Sequence, residues 1–128
     1  NVVMGRVRLL IPPALATKLI PLTKEKTMIG QLRIYTINAG MMDSWLKAFE
    51  EDIVPRVKEV GMGVHTAWVN EDRTQFIWIR TYDSVEDIEV KEAALYGTQW
   101  WAENVDRLRA HHAHREVKII EPFLPNGA

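Results

Sequence analysis

Three of the four histidines of this chain stand in "HHAHREVKIIEPF": His111, His112 and His114. On a helix His111 and His114, three apart, would lie together and could hold a metal. No carboxylate at matching spacing completes a ligand set, because Glu116 falls in the strand that follows. The run "RLRAHHAHR" has the composition of a helix C-terminus, where the dipole favours cationic side chains. The expectation is that His111 and His114 are solvated at a helix end, that His112 is a half-buried packing residue on an apolar stripe, and that no metal is held.

His65 fits chemistry better. It lies inside a strand beside aromatic residues, where an imidazole can act as a general base near neutral pH. Arg80 and Arg33 each offer a guanidinium fork for a carboxylate or an enolate oxygen. On this reading His65 and Arg80 are the catalytic candidates, and Arg33, Tyr35, Trp78 and Tyr82 the substrate-binding ones. Each also has a structural reading: a core histidine bonded to a neighbour, arginines paired to a helix carboxylate or across a dimer, tryptophans as core and interface. Glu50, Glu51 and Asp52 read as the solvated face of a helix. The sequence contains no phosphate-binding loop, no Ser-His-Asp pattern and no basic–aromatic stripe for nucleic acid, and nothing in it calls for a cofactor.

The elements that must position these residues are legible from periodicity. "QLRIYTI" alternates in period two and reads as a strand. "MMDSWLKAFEEDIVPRVKEVG" carries Met42, Trp45, Leu46, Phe49, Ile53, Val57 and Val60 at helical spacing, with Gly61 suited to the C-terminal cap. Pro55 should kink or divide that helix. "GVHTAWVN" and "TQFIWIRTY" form a hairpin around "NEDR". "DSVEDIEVKEAALYG", capped by Asp83 or Ser84, and "TQWWAENVDRLRAHH" are helical, with a break at Gly97 and Thr98. "REVKIIEP" is the closing strand. The order strand–helix–strand–strand–helix–strand predicts an α+β, ferredoxin-like βαββαβ fold: a four-stranded antiparallel sheet with both helical segments on one face.

Strand parity assigns faces. Leu32, Ile34 and Thr36, with Ile77, Ile79 and Thr81, form an aliphatic face expected to pack on the helices. Arg33, Tyr35 and Ile37, with Phe76, Trp78, Arg80 and Tyr82, form an aromatic face expected to lie open and to be covered by a second copy of the chain or a ligand. A hairpin turn centred on Glu71 and Asp72 sets His65 opposite Trp78 and turns Trp68 towards the helices. A loop one residue longer would set Thr66 there instead.

The 128 residues suffice for one domain. The formal net charge of −1 argues against bulk nucleic-acid binding, and the absence of cysteine excludes disulfides and thiolate chemistry. No apolar run reaches the roughly 20 residues of a membrane span. Residues 1–27 hold Arg6, Arg8, Lys18, Lys24 and Lys26 against Glu25 alone. Arg6 and Arg8 ahead of "LLIPPALA" suggest a secretory signal. Pro12, Pro13 and Lys18 interrupt it, so 1–27 is expected to be a poorly structured extension, with Met28 available as an alternative start. Residues 28–128 are the expected domain, and a cytoplasmic location is the expectation, a targeting role for 1–27 remaining open.

"LRIYTINAG", a helix, "TAWV", "IRTYDSVED" and "EVKIIEPF", in that order over roughly 31–123, resemble the NIPSNAP family. The resemblance implies framework roles for Arg33, Tyr35, Gly40, Trp68 and Tyr82. It also implies likeness to the dimeric α+β barrel group, in which two ferredoxin-like sheets pack face to face as a homodimer. That group includes small cofactor-free monooxygenases, isomerases and haem-handling enzymes, whereas NIPSNAP members have no settled chemistry. Family members often carry histidine and tryptophan where this chain has Trp78 and Arg80. Two functions follow as expectations: a small cofactor-free enzyme or binder for an apolar or aromatic small molecule, or a non-catalytic dimeric interaction module.

Overall fold

The structure, a computed structural model, describes residues 28–124, and the expectation for 1–27 lies outside them. Strand β1 (Ile29–Ile37) leads through Gly40, at φ 78°, into helix α1 (Met42–Ala48), a π-helical turn (Phe49–Ile53) and helix α2 (Val54–Glu59). Strands β2 (Gly63–Val69) and β3 (Gln75–Tyr82) follow, then helices α3 (Val85–Tyr96) and α4 (Gln99–Arg109) and strand β4 (His112–Ile120). The sheet order is β2-β3-β1-β4, antiparallel throughout. This is the expected ferredoxin-like arrangement.

Local chemistry explains the helix limits. Ser84 Oγ accepts from the Asp87 amide, and Thr98 Oγ1 from the Trp101 amide, so each hydroxyl satisfies a donor that the first turn leaves free. Pro55 has no N–H, and the ladder ahead of it widens into the π turn rather than breaking. At the end of α2 the Gly61 amide donates to the Lys58 carbonyl and the Met62 amide to the Val57 carbonyl. Gly61 takes φ 92°, the left-handed step that this cap needs.

The face assignment is reversed relative to expectation. Tyr35, Ile37, Phe76, Trp78 and Tyr82 are buried beneath the helices with Trp45, Phe49, Val57, Leu95 and Leu108. Leu32, Ile34, Ile77 and Ile79 form the open face and are half-buried in this chain. The physical reason lies in the helices. Trp45 and Phe49 meet the sheet edge-on, with Phe49 4.6 Å from Phe76 and 4.9 Å from Trp78 between ring centroids. Such edge-to-face pairs add to simple burial. Arginines in the strands read as solvent-facing, but here they are packed between rings and hydrogen-bonded.

The hairpin is also longer than either expected register. Asn70 pairs with Gln75, and its Oδ1 accepts from the Thr74 and Gln75 amides, leaving four loop residues with Arg73 at φ 60°. Ala67 therefore stands opposite Trp78, and Trp68 stands opposite Ile77 on the open face, 64% exposed. A bulge between Val64 and Thr66 leaves His65 unpaired.

Candidate functional site

The helices meet over the centre of the sheet without closing it completely. A cleft remains between β1, β3 and the start of β4 on one side and α1, α2, α3 and α4 on the other. Its floor holds Tyr35 and Trp78, its helical wall Trp45, Leu95 and Leu108, and His112 stands at the β4 end. The cavity is about 40 Å³. One buried water needs roughly 10–15 Å³ by the same measure, so the space admits a few waters or one small group.

Arg80 anchors one end. It is 3% exposed. Its Nε donates to the Tyr82 hydroxyl at 2.8 Å, and its Nη2 donates to Glu92 Oε2 at 2.9 Å, Gln31 Oε1 at 3.1 Å and the Tyr96 hydroxyl at 3.0 Å. Gln31 Nε2 donates back to Glu92 at 3.0 Å, and Arg33 donates to Gln31 Oε1 and to the Tyr35 hydroxyl. A buried cation is tolerated only when paired and hydrogen-bonded, and this network provides both. Tyr82 is pushed up to about 12, chiefly by burial, with Arg80 opposing the shift. Its phenol stays protonated and donates to Gln31 Oε1 at 3.0 Å. The Arg80 and Arg33 guanidinium carbons lie 5.6 and 5.9 Å from the Trp78 ring centroid.

Polar atoms without partners cluster here. Among the described residues, the buried side-chain nitrogens lacking any hydrogen bond are Trp45 Nε1, Trp78 Nε1, Arg56 Nε and both ring nitrogens of His112. All four residues line the cleft. Trp45 is 2% and Trp78 1% exposed. Buried donors are nearly always satisfied, and each exception calls for an explanation. His112 lies 4.4 Å from the Tyr35 ring and 4.4 Å from the Trp45 ring. Burial first, then the Arg115 charge, lowers it to about 4. The ring is neutral at neutral pH, with one N–H to give and one lone pair to receive.

The cleft brings together four of the six site residues expected from sequence: Arg33, Tyr35, Trp78 and Arg80. Tyr82 stands behind Arg80 as its hydrogen-bond partner. His65 is not among them. It is exposed, beside Gly30, Ile79, Thr81 and Glu121 in a hollow on the open face, so the pairing of His65 with Arg80 is not formed. The cluster "HHAH" is also redistributed. β4 begins at His112, three residues earlier than expected, so His112 and His114 are strand residues. His111 is buried rather than solvated, at 5% exposure. Its Nδ1 lies 3.0 Å from the Leu108 carbonyl, which can only accept, so Nδ1 carries the proton and Nε2 accepts from Ser44 Oγ at 2.8 Å. His114 is exposed, as expected. Among the described residues no group of three or more histidine, aspartate or glutamate side chains is arranged to hold a metal. His112 as a half-buried residue was readable from the stripe; its place in a cleft was not, because the strand that carries it starts inside a run that reads as helix.

A four-stranded antiparallel sheet with its helices on one face, enclosing an aromatic cleft between the layers, defines a ferredoxin-like α+β domain. Residues 30–124 match the sequence profile of the NIPSNAP family, and the chain belongs to that family. A NIPSNAP family protein from Agrobacterium tumefaciens is 27% identical, with a TM-score of 0.69 over 77% of this chain and 88% of that one. A NIPSNAP-like domain protein from Burkholderia xenovorans is 19% identical, with a TM-score of 0.71 over 80% of this chain and 91% of that one. SnoaB, a cofactor-independent oxygenase from Streptomyces nogalater, shares the fold at 14% identity, with a TM-score of 0.62 over 78% of this chain and 99% of that one. No curated protein matched the chain. No helix among the described residues is long and apolar enough to cross a membrane.

Proposed function

We propose that this NIPSNAP domain binds an apolar, aromatic small molecule in the cleft between sheet and helices, as a cofactor-free binder or enzyme. One observation carries the reading. The indole N–H groups of Trp45 and Trp78 are buried, unpartnered and owned by residues that line a cavity. A buried donor left without any acceptor costs about 1–3 kcal/mol, and no protein acceptor reaches these two. A ligand that brings acceptor oxygens to these donors recovers that energy. The rings of Tyr35, Trp45 and Trp78 suit the faces and edges of an aromatic body. His112, neutral and unpartnered, is the group suited to exchange a proton with it. Arg80, held by Glu92 and Tyr82, lies 5.6 Å from the Trp78 ring centroid and supplies positive charge beside it. The cavity, about 40 Å³, is small beside the roughly 300–1,000 Å³ of drug-sized sites, which favours entry of one polar end group of the ligand, with the ring against the aromatic residues at its rim. A crystallographic fragment screen tests the reading. Fragments seated between Trp45, Trp78 and His112 are the expected result; fragments found everywhere but there would overturn it.

The open face favours self-association as well. Leu32, Ile34, Ile77 and Ile79 form an aliphatic surface on a sheet whose other side is covered, and Trp68 is exposed at its β2 edge. A homodimer through this face would bury them, at about 25 cal/mol per Å² of apolar surface removed from water. A purely structural dimer module needs only that face and leaves the unpartnered donors of the cleft without a role.

A further inference from the structure

Five arginines line the cleft: Arg33, Arg56, Arg80, Arg109 and Arg115. No aspartate or glutamate is among the residues that line it. Glu92 pairs with Arg80 from behind the cleft, and that one carboxylate is shared with Gln31 and approached by the Tyr82 hydroxyl. Glu59 pairs with Arg56 at 3.9 Å from outside the cleft, and Asp52 is turned outward to Arg107. Arg33 bonds only through Nε and Nη1, and Arg80 only through Nε and Nη2, so each keeps one terminal nitrogen without a described partner. The unpartnered atoms nearby are donors too, apart from one lone pair on His112.

Resting on the binding role given to the cleft above, we infer that its ligand is an anion: a planar aromatic compound bearing a carboxylate. A carboxylate offers acceptor oxygens only, so it satisfies indole N–H and guanidinium N–H together, and its plane matches the arginine fork. A neutral amide would bring N–H groups to a site already crowded with donors. An amine would add positive charge to five arginines. The low dielectric of the cleft strengthens both the attraction and the rejection. Arg109, Arg115 and Arg33 also act on His112, each disfavouring its protonation. An anion among them would relieve that repulsion, so the carboxylate should bind with partial proton uptake at His112.

The test is calorimetric titration of the full chain with benzoate, benzamide and benzylamine at low ionic strength, with Arg33→Gln and Arg115→Gln as variants. Arg115 is exposed, so its variant keeps the fold while removing charge. Benzoate should bind at least tenfold more tightly than benzamide, and benzylamine should not bind. Each variant should weaken benzoate at least threefold and weaken benzamide by a smaller factor; an equal loss for both ligands would overturn the role given to the charge. Equal affinity for benzoate and benzamide, or preference for benzylamine, would overturn the anionic ligand while leaving the cleft as a binding site. No binding of any of the three at millimolar concentration would overturn both.

Discussion

Among individual side chains, His112 carries the clearest pH signature. Its folded value of about 4 lies below the ordinary 6.5. As pH falls the unfolded chain therefore takes up the proton first. Its contribution to stability is complete above about 6.5 and is lost progressively as the pH drops from there to about 4. Urea denaturation between pH 7 and pH 4 should show this loss, and His112→Phe, which keeps a ring but removes the titrating nitrogens, should flatten it. An unchanged slope in the variant would mean that other groups carry the acid sensitivity. Glu92→Leu should destabilise the domain by about 3 kcal/mol, because it strands a buried guanidinium. That estimate takes the low end for a broken buried pair, since the Glu92 side chain is 28% exposed. A urea midpoint within error of the parent protein's would contradict the network. The sequence marks Arg33, Tyr35, Trp78 and Arg80 as chemically interesting, and they line one cleft. It does not mark Trp45 or His112, since a tryptophan on a helical stripe looks like ordinary core and only the fold shows that its N–H lacks a partner.

At the level of elements, period and punctuation were enough to locate the strands and helices, and parity was enough to sort strand residues into two groups. Parity alone does not decide which group meets the helices. Composition points the aliphatic residues inward and the arginines outward, and the structure reverses both. The inward group is aromatic because α1 and the π turn present Trp45 and Phe49, and Arg80 can join it because Gln31, Glu92, Tyr82 and Tyr96 supply its partners. The hairpin register failed for a different reason. Asn70 accepts two backbone amides with one side-chain oxygen and so stabilises a four-residue loop that a two-residue turn rule does not foresee. Gly61 is the opposite case, legible in advance and confirmed in its left-handed cap. A Cβ there would also sit 3.0 Å from Lys91 Cε. Gly61→Ala should cost about 1–2 kcal/mol, the penalty of a left-handed residue bearing a side chain. A thermal midpoint unchanged by this substitution would show that α2 ends another way.

For the molecule as a whole, the two faces of the sheet have separate proposed tasks: the helix-covered face to take a ligand and the open face to take a second copy. Light scattering should report a dimer at micromolar concentration, and Ile34→Glu, placed opposite Ile77 in the middle of the open face, should convert it to a monomer that remains folded. A parent protein that is monomeric under those conditions would remove the role given to that face. Nuclear magnetic resonance of the indole N–H groups during addition of benzoate reports on the cleft itself. Trp45 and Trp78 lie in the cleft, whereas Trp68 lies on the opposite side of the sheet, so the protein carries its own control. The Trp45 and Trp78 signals should move together and saturate while Trp68 stays in place. Movement of Trp68 with Trp45 and Trp78 unaffected would contradict binding in the cleft.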